Sequence, residues 1–99
     1  MKIIKAKEML AEVVDYFDIK TTDIFKVPKN KRTGAKKEAR AVFVMLCLKY
    51  TRHSIDEIAF TLKTDPHIVK EIQRSMQSHK TLQNLYNDVE QIVLHKYYN

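Results

Sequence analysis

Apolar residues recur at three- and four-residue intervals along most of the chain, a pattern that predicts helices and no strands. The first predicted helix covers residues 5–16. Thr21 or Thr22 is a suitable cap for a short helical turn that reaches Phe25. A second long helix is predicted over residues 35–50, with a buried face made of Ala39, Val42, Phe43, Leu46 and Cys47.

Two shorter helices with strong start signals are predicted in the second half of the chain. Ser54 and Glu57 have the spacing of a capping box, in which each side chain bonds to the free backbone N–H at the other position. Asp65 is a suitable N-cap and Pro66 a suitable first residue for the next helix, because the missing proline N–H would have no helical partner there. The two apolar faces consist of Ile55, Ile58, Ala59 and Leu62, then Ile68, Val69, Ile72 and Met76.

The connection between these helices is short enough to make residues 54–77 a helix-turn-helix. Lys63 stands in the turn, where glycine is common. A last helix is predicted to begin between Ser78 and Thr81 and to bury Leu82, Leu85, Val89, Ile92 and Val93. The 99 residues, of which 44% are hydrophobic and one is glycine, therefore predict a single all-α domain, residues 1–99, of about five to six helices.

The net charge of +6 is concentrated in a basic segment, residues 26–40, whose first part is predicted to be a loop. Against Glu38 alone, its seven basic side chains are Lys26, Lys29, Lys31, Arg32, Lys36, Lys37 and Arg40. The other 11 of the 18 basic residues are balanced by 11 of the 12 acidic ones. Such a cluster can bind a polyanion by releasing its counterions, or it can be a solvated loop whose lysines keep the protein soluble.

Other classes of function find little support in the residues. No run approaches the roughly 18 to 20 apolar residues of a membrane span, and the start of the chain lacks a signal peptide, so we expect a cytoplasmic protein without membrane contacts. Cys47 is the only cysteine, and the four histidines share no helical face, so no metal site or cofactor is expected. His53 beside Ser54 is better explained by the cap than by a nucleophile pair, and we expect no enzymatic activity.

The second hairpin helix would read bases with the exposed face near its N-terminus if it entered a major groove. Lys70 and Arg74 can bind phosphate or a guanine edge, and His67 can bond to a base. Glu71 can accept from cytosine, although a carboxylate near phosphates is unfavourable. Asp65 would repel them as well unless it serves as the cap. The residues of this face and of the turn before it are Lys63, Thr64, His67, Lys70, Glu71 and Arg74.

Two segments, VVDYFDIKTTDIF and EARAVFVMLCLKYTRHSIDEIAFTL, with the basic segment between them, resemble the C-terminal DNA-binding domain of the bacterial chromosomal replication initiator DnaA. The likeness covers about residues 13–74. It is carried most by Tyr16 and Phe17 followed by Ile19, by Arg40 at the entry to the long helix, and by HSIDEIAF. It implies an all-helical domain related in architecture to the Trp repressor. It also implies that the second hairpin helix enters the major groove while a basic loop residue reaches the adjacent minor groove.

The reading helix departs from the pattern of that family. In the family this helix opens with an arginine followed by Asp-His-Thr-Thr, where the chain has Lys63, Thr64, Asp65, Pro66 and His67. Arg40 and Arg74 fit the basic positions of the family, and Lys31 and Arg32 best meet the arginine pair of its loop. The resemblance therefore implies retained binding to double-stranded DNA with an altered sequence preference.

Two hypotheses about function follow. The first is a double-stranded DNA-binding module of the initiator type, without the ATPase part, because no Gly-rich phosphate loop with Lys-Ser/Thr occurs. The second is a helical protein-interaction domain that has lost specific DNA reading. In either case we expect a monomer or a weak dimer formed through the C-terminal helix. The predicted DNA-binding residues are Lys31, Arg32, Lys36, Lys37, Arg40, Lys63, Thr64, His67, Lys70 and Arg74.

Overall fold

A computed structural model describes residues 3–26 and 34–98 of the chain. These residues form six α-helices and no strand, which confirms the predicted all-α fold. The long helices pack against one another, and the hairpin packs against the third helix. In chain order the helices are α1 (Ala6–Phe17), α2 (Thr21–Phe25), α3 (Ala35–Tyr50), α4 (Ile55–Thr61), α5 (Pro66–Ser78) and α6 (Lys80–Tyr97).

Helix α3 forms the centre of the core, because each of the other five helices packs against it. All five residues predicted for its buried face are buried, and Ala41, Val44 and Tyr50 are buried as well. The helix is therefore enclosed on more than one face, as expected for a central helix. Burial raises the pKa of the Cys47 thiol to about 12, so this side chain stays neutral and acts as a packing group.

The start of α2 differs from the prediction, because neither Thr21 nor Thr22 caps it. The residue before the helix is Lys20, whose backbone N–H donates to Asp23 Oδ2 at 2.9 Å. The prediction of a threonine cap is wrong because the helix already begins at Thr21, so both threonines lie within its first turn. Asp23 Oδ1 also lies 3.2 Å from Lys36 Nζ, and this ion pair ties α2 to the start of α3.

The helix-turn-helix forms from the two predicted start signals. Ser54 Oγ accepts from the Glu57 N–H at 3.1 Å, and Glu57 Oε1 accepts from the Ser54 N–H at 2.9 Å, which confirms the capping box. Helix α5 is capped by Asp65 and begins with Pro66, also as predicted. The buried apolar residues of the hairpin are Ile58, Ala59, Leu62, Val69 and Met76.

The turn of the hairpin contains a lysine in a conformation that favours glycine. Lys63 has a φ of 54°, in the left-handed region, where a residue with a Cβ is strained by about 1 to 2 kcal/mol. Its N–H donates to Phe60 O at 3.1 Å, and the N–H of Thr64 donates to Ala59 O at 2.9 Å. These bonds satisfy carbonyls at the end of α4 and turn the chain toward α5.

Helix α6 begins inside its predicted window and is capped by His79, whose Nδ1 accepts from the Leu82 N–H at 3.3 Å. Leu82, Val89 and Val93 are buried as predicted. The prediction that Ile92 is buried is wrong, because its side chain is 42% exposed. The buried stripe follows Val89 and Val93, one turn apart, and Ile92 lies beside that stripe rather than in it.

Two buried carboxylates join α6 to its neighbours. Glu90 Oε2 accepts from Lys49 Nζ at 2.7 Å, from the Tyr50 hydroxyl at 2.7 Å and from the Tyr86 hydroxyl at 3.1 Å, which links α6 to the end of α3. The second carboxylate, Glu12, connects α1 with α6. Its Oε2 accepts from Lys96 Nζ at 2.8 Å and from the Tyr97 hydroxyl at 3.2 Å.

Candidate nucleic-acid interface

The N-terminus of α5 is the point at which a recognition helix would enter a groove, and there the negative charge of Asp65 is engaged. Its Oδ1 accepts from the backbone N–H of His67 at 2.9 Å. A side-chain acceptor at this position satisfies one of the free amides of the first helical turn. Asp65 therefore acts as a cap, and its carboxylate is held against the backbone of α5.

Helix α5 has two faces of opposite character. Val69 and Met76 are buried on one side against the rest of the domain. Lys70 and Arg74 are exposed on the other side and make no ion pair with any residue that the structure describes. Positions three and four apart are neighbours on a helix surface, so the exposed face consists of His67, Lys70, Glu71 and Arg74.

His67 and Glu71 form a pair on this exposed face. His67 Nε2 lies 3.1 Å from Glu71 Oε1, one helical turn away. The two side chains remain 62% and 52% exposed, so both are accessible to a ligand. The predicted base-reading residues of α5 thus lie together on one face. The carboxylate of Glu71 contacts the imidazole of His67 rather than Lys70 or Arg74.

The turn before α5 adds one more exposed cation. Lys63 is exposed, while Thr64 is half-buried, and the bonds of the turn hold their backbone in place. Both residues precede Asp65 directly, so they lie at the same end of α5 as His67. The structure therefore places these two predicted residues beside the start of the exposed face.

A second group of predicted residues lies on the first two turns of α3. Lys36, Lys37 and Arg40 belong to the helix rather than to a loop, because α3 begins at Ala35. Lys36 is paired with Asp23, so part of its charge is already offset inside the protein. Lys37 is exposed and makes no ion pair among residues 3–26 and 34–98.

Arg40 is the least satisfied cation of this group. Its guanidinium is half-buried, and burial lowers its pKa, although an arginine side chain stays charged in proteins. Its Nε is fully buried and has no hydrogen-bond partner in the part of the chain that the structure describes. A buried charged donor without an acceptor is unfavourable.

The remaining two predicted residues, Lys31 and Arg32, lie outside the described residues. The described candidates fall into two groups, one on the hairpin and one at the start of α3. The sequence pattern predicted the positions of the residues on α5, because caps and apolar spacing fix the rotation of that helix. The four-residue spacing of His67 and Glu71 is compatible with their contact, but the pattern gave no sign that Lys36 has a partner in α2.

Sequence reasoning also missed an apolar residue on the hairpin surface. Phe60, in the last turn of α4, is 85% exposed. It lies between the buried Ala59 and Leu62 but off the stripe that they form with Ile58. That offset from the three- and four-residue spacing was a signal in the sequence that could have identified it.

No protein-family model and no curated protein matches the chain. Among the described side chains, no cluster of three or more histidines, cysteines or acids has an arrangement that could hold a metal ion. None of the helices α1 to α6 is both long enough and apolar enough to cross a membrane.

Proposed function

We propose that the chain is a double-stranded DNA-binding module in which α5 lies in the major groove and the basic start of α3 contacts phosphates. The observation that carries this proposal is the exposed face of α5, where Lys70 and Arg74 stand one turn apart and unpaired among the described residues. Cations on the second helix of a helix-turn-helix can contact the phosphates beside the groove and can donate to guanine.

The resemblance to the C-terminal domain of DnaA supports the same assignment. It suggests the role of an origin-binding domain without the ATPase part, in which Lys31 or Arg32 reaches the adjacent minor groove. The positions suited to phosphate, Arg40 and Arg74, fit the family better than the positions that read bases. Because phosphate contacts set affinity and base contacts set specificity, we propose duplex binding with a sequence preference that differs from that of the family.

Electrostatics divide the proposed contacts into two kinds. Lys37 and Arg40 would neutralise phosphates and add affinity without sequence information. His67 and Lys70 would lie close to base edges, where hydrogen bonds distinguish one base pair from another, while Arg74 can donate either to phosphate or to guanine. The capped start of α5 favours this geometry, since Asp65 bonds to the helix backbone and its charge is partly offset there.

The proposal is tested by measuring affinity for mixed-sequence and origin-type duplexes over a series of salt concentrations. We expect the logarithm of affinity to fall linearly with the logarithm of salt concentration. Lys70→Ala and Arg74→Ala should each weaken binding. Where the removed side chain neutralised one phosphate in the wild type, the slope of log affinity against log salt concentration should become smaller by about 1. Lys7→Ala is the matched control, because it removes an exposed lysine from α1, a helix that does not pack against α5.

Absence of duplex binding even at low salt would contradict the proposal. Binding that is unchanged in both α5 variants would remove that helix from the interface and leave only the basic segment. Loss of binding in Lys7→Ala equal to that in the α5 variants would point to a general charge effect instead of a defined face.

A second candidate function is a protein-interaction domain, and the exposure of Phe60 favours it. A phenylalanine that is 85% exposed beside the hairpin turn is available to contact a protein partner, and phenylalanine is among the residues enriched at protein interfaces. In this case the basic segment would bind an acidic partner, and duplexes would bind weakly and without preference. Equal and weak affinity for mixed-sequence and origin-type duplexes would favour this candidate, whereas a preference between them that Lys70→Ala or Arg74→Ala removes would favour the first.

A further inference from the structure

Glu71 is the one feature of the exposed face of α5 that a purely electrostatic contact with DNA does not explain. A carboxylate next to phosphates weakens binding, and Glu71 lies between Lys70 and Arg74 along the helix, on the face that they share. Its contact is with His67, 3.1 Å away, and its side chain is still 52% exposed. A negative group is thus displayed at the centre of the face that would meet the duplex.

The chemistry of base edges limits what this carboxylate can recognise. An ionised carboxylate only accepts hydrogen bonds. In the major groove, guanine presents O6 and N7 and thymine presents O4, all of them acceptors that repel it, whereas cytosine N4 and adenine N6 are amino donors. A glutamate on a groove-facing helix therefore favours base pairs that bring an amino group to it and disfavours the others.

We propose that Glu71, positioned by His67, determines specificity by selecting a base with an exocyclic amino group in the major groove. This inference rests on the proposed DNA-binding function and adds the class of base that is read. His67 contacts Glu71 Oε1 and leaves Oε2 free for the base. Restricting the carboxylate to one side also lowers the entropy lost when it binds.

The test is selection from a pool of duplexes with a randomised centre, followed by sequencing of the bound fraction at low salt. The wild-type chain should enrich cytosine or adenine at one position by about 5-fold or more, and the enriched base identifies which amino group is read. Glu71→Ala should abolish this enrichment. Glu71→Gln should move a cytosine preference to adenine, or strengthen an adenine preference, because an amide can accept from N6 and donate to N7.

The base preference at one position, and not overall affinity, separates base recognition by Glu71 from a simple charge effect. Both Glu71 variants should bind mixed-sequence duplexes at least as tightly as the wild type, since a negative charge has been removed. His67→Ala should broaden the preference at the same position, because the carboxylate is no longer restrained. Asp15→Asn is the matched control: it removes an exposed carboxylate from α1, which does not pack against α5, and should retain the wild-type preference.

Equal base frequencies at every position in the sequences selected by the wild type, Glu71→Ala and Glu71→Gln would overturn the inference. The proposed function would stand in that case if duplexes still bind with a salt-dependent affinity. A wild-type chain that binds no duplex at all would overturn both. A change of preference in Asp15→Asn that matches the Glu71 variants would also overturn it, because the effect would then not belong to α5.

Discussion

Glu90 shows how this small core accommodates a buried charge. One oxygen, Oε2, accepts hydrogen bonds from Lys49, Tyr50 and Tyr86 at distances of 2.7 to 3.1 Å. Burial by itself would raise the pKa of the carboxyl group, but these bonds outweigh it, and the pKa is lowered. In return, the hydrogen bond to Glu90 raises the pKa of Lys49. The charged form of Glu90 is thus stabilised in the folded protein.

Glu90→Gln should destabilise the fold by about 2 kcal/mol at neutral pH, because the bonds to a charged acceptor are replaced by weaker ones. A carboxylate with a lowered pKa contributes stability above its ordinary pKa of 4.5 and loses that contribution as the pH falls through the folded-state pKa. The difference between wild type and variant should therefore shrink below about pH 4.5. Urea unfolding at neutral and acidic pH measures both effects.

Glu71→Gln is the control for this measurement, because it removes an exposed carboxylate from the same fold. Its effect on the free energy of unfolding should stay within about 0.5 kcal/mol. A Glu90→Gln variant as stable as the wild type at neutral pH would show that the hydrogen bonds to this oxygen add nothing to the stability of the core.

Individual residues were predictable where their role is local. The capping box of Ser54 and Glu57 and the cap at Asp65 follow from short spacings, and the structure confirms them. The buried acids Glu12 and Glu90 were not predictable, since all their partners except Tyr86 lie about 40 or more positions away along the chain. Nothing in the local pattern distinguishes such a glutamate from a solvated one.

At the scale of the element, α5 combines a cap directly before it with a buried face and an exposed face along its 13 residues. Asp65 provides the cap. Its negative charge also affects the exposed face, because it lies at the end of the helix that would enter the groove. The two effects involve different atoms. The hydrogen bond to the His67 N–H needs only a side-chain oxygen, whereas repulsion of phosphate needs the negative charge.

Two substitutions at Asp65 should separate stability from binding. Asp65→Asn keeps an oxygen for the cap, so the free energy of unfolding should change by less than about 0.5 kcal/mol while duplex affinity at low salt increases. Asp65→Ala loses the cap and should destabilise the fold by about 1 kcal/mol. Thermal unfolding and duplex titration of the same samples give both quantities. Equal destabilisation by the two variants would contradict the capping role.

The helices themselves were largely predictable, because apolar spacing and caps fix most of their ends. The predicted second long helix, residues 35–50, matches α3, and α5 extends one residue beyond its predicted end. The errors concern one helix start and one packed face. Helix α2 begins at Thr21, one residue earlier than a threonine cap allows, and Ile92 is exposed because the packing of α6 centres on Val89 and Val93.

At the scale of the whole molecule, the two ends of the described chain are joined. Glu12 in α1 accepts from Lys96 and Tyr97 at the end of α6, across more than 80 positions of sequence. The side chain of Glu12 is only 8% exposed. The Glu12 carboxylate therefore depends on the last turn of α6 for its hydrogen bonds. The same bonds hold the last turn of α6 against α1.

A chain shortened to end at Leu94 should be less stable than the full chain by at least about 2 kcal/mol, because a buried carboxylate loses its donors. Chemical denaturation of both chains measures the difference. Glu12→Gln provides the matched comparison. It should destabilise the full chain, but it should restore part of the stability of the shortened one, since the unpaired charge is then removed. An equal effect of Glu12→Gln in both chains would contradict this account.

The whole-molecule arrangement was only partly predictable. An all-α domain follows from periodicity, and the central position of α3 is consistent with its apolar sequence. The partial neutralisation of Lys36 by Asp23 and the buried Nε of Arg40 could not be predicted, because they depend on how helices pack. Function stays a prediction for the same reason, since it depends on which charged side chains remain free after packing.

The separation of the two faces of α5 has a consequence for protein engineering. Val69 and Met76 anchor the helix, while His67, Lys70, Glu71 and Arg74 leave the core untouched. Randomising those four positions together should yield variants that nearly all fold, so a library can be screened for new targets without first being filtered for stability. By the same logic, drift at these positions would meet little resistance from folding, and related chains could diversify their targets on one common scaffold.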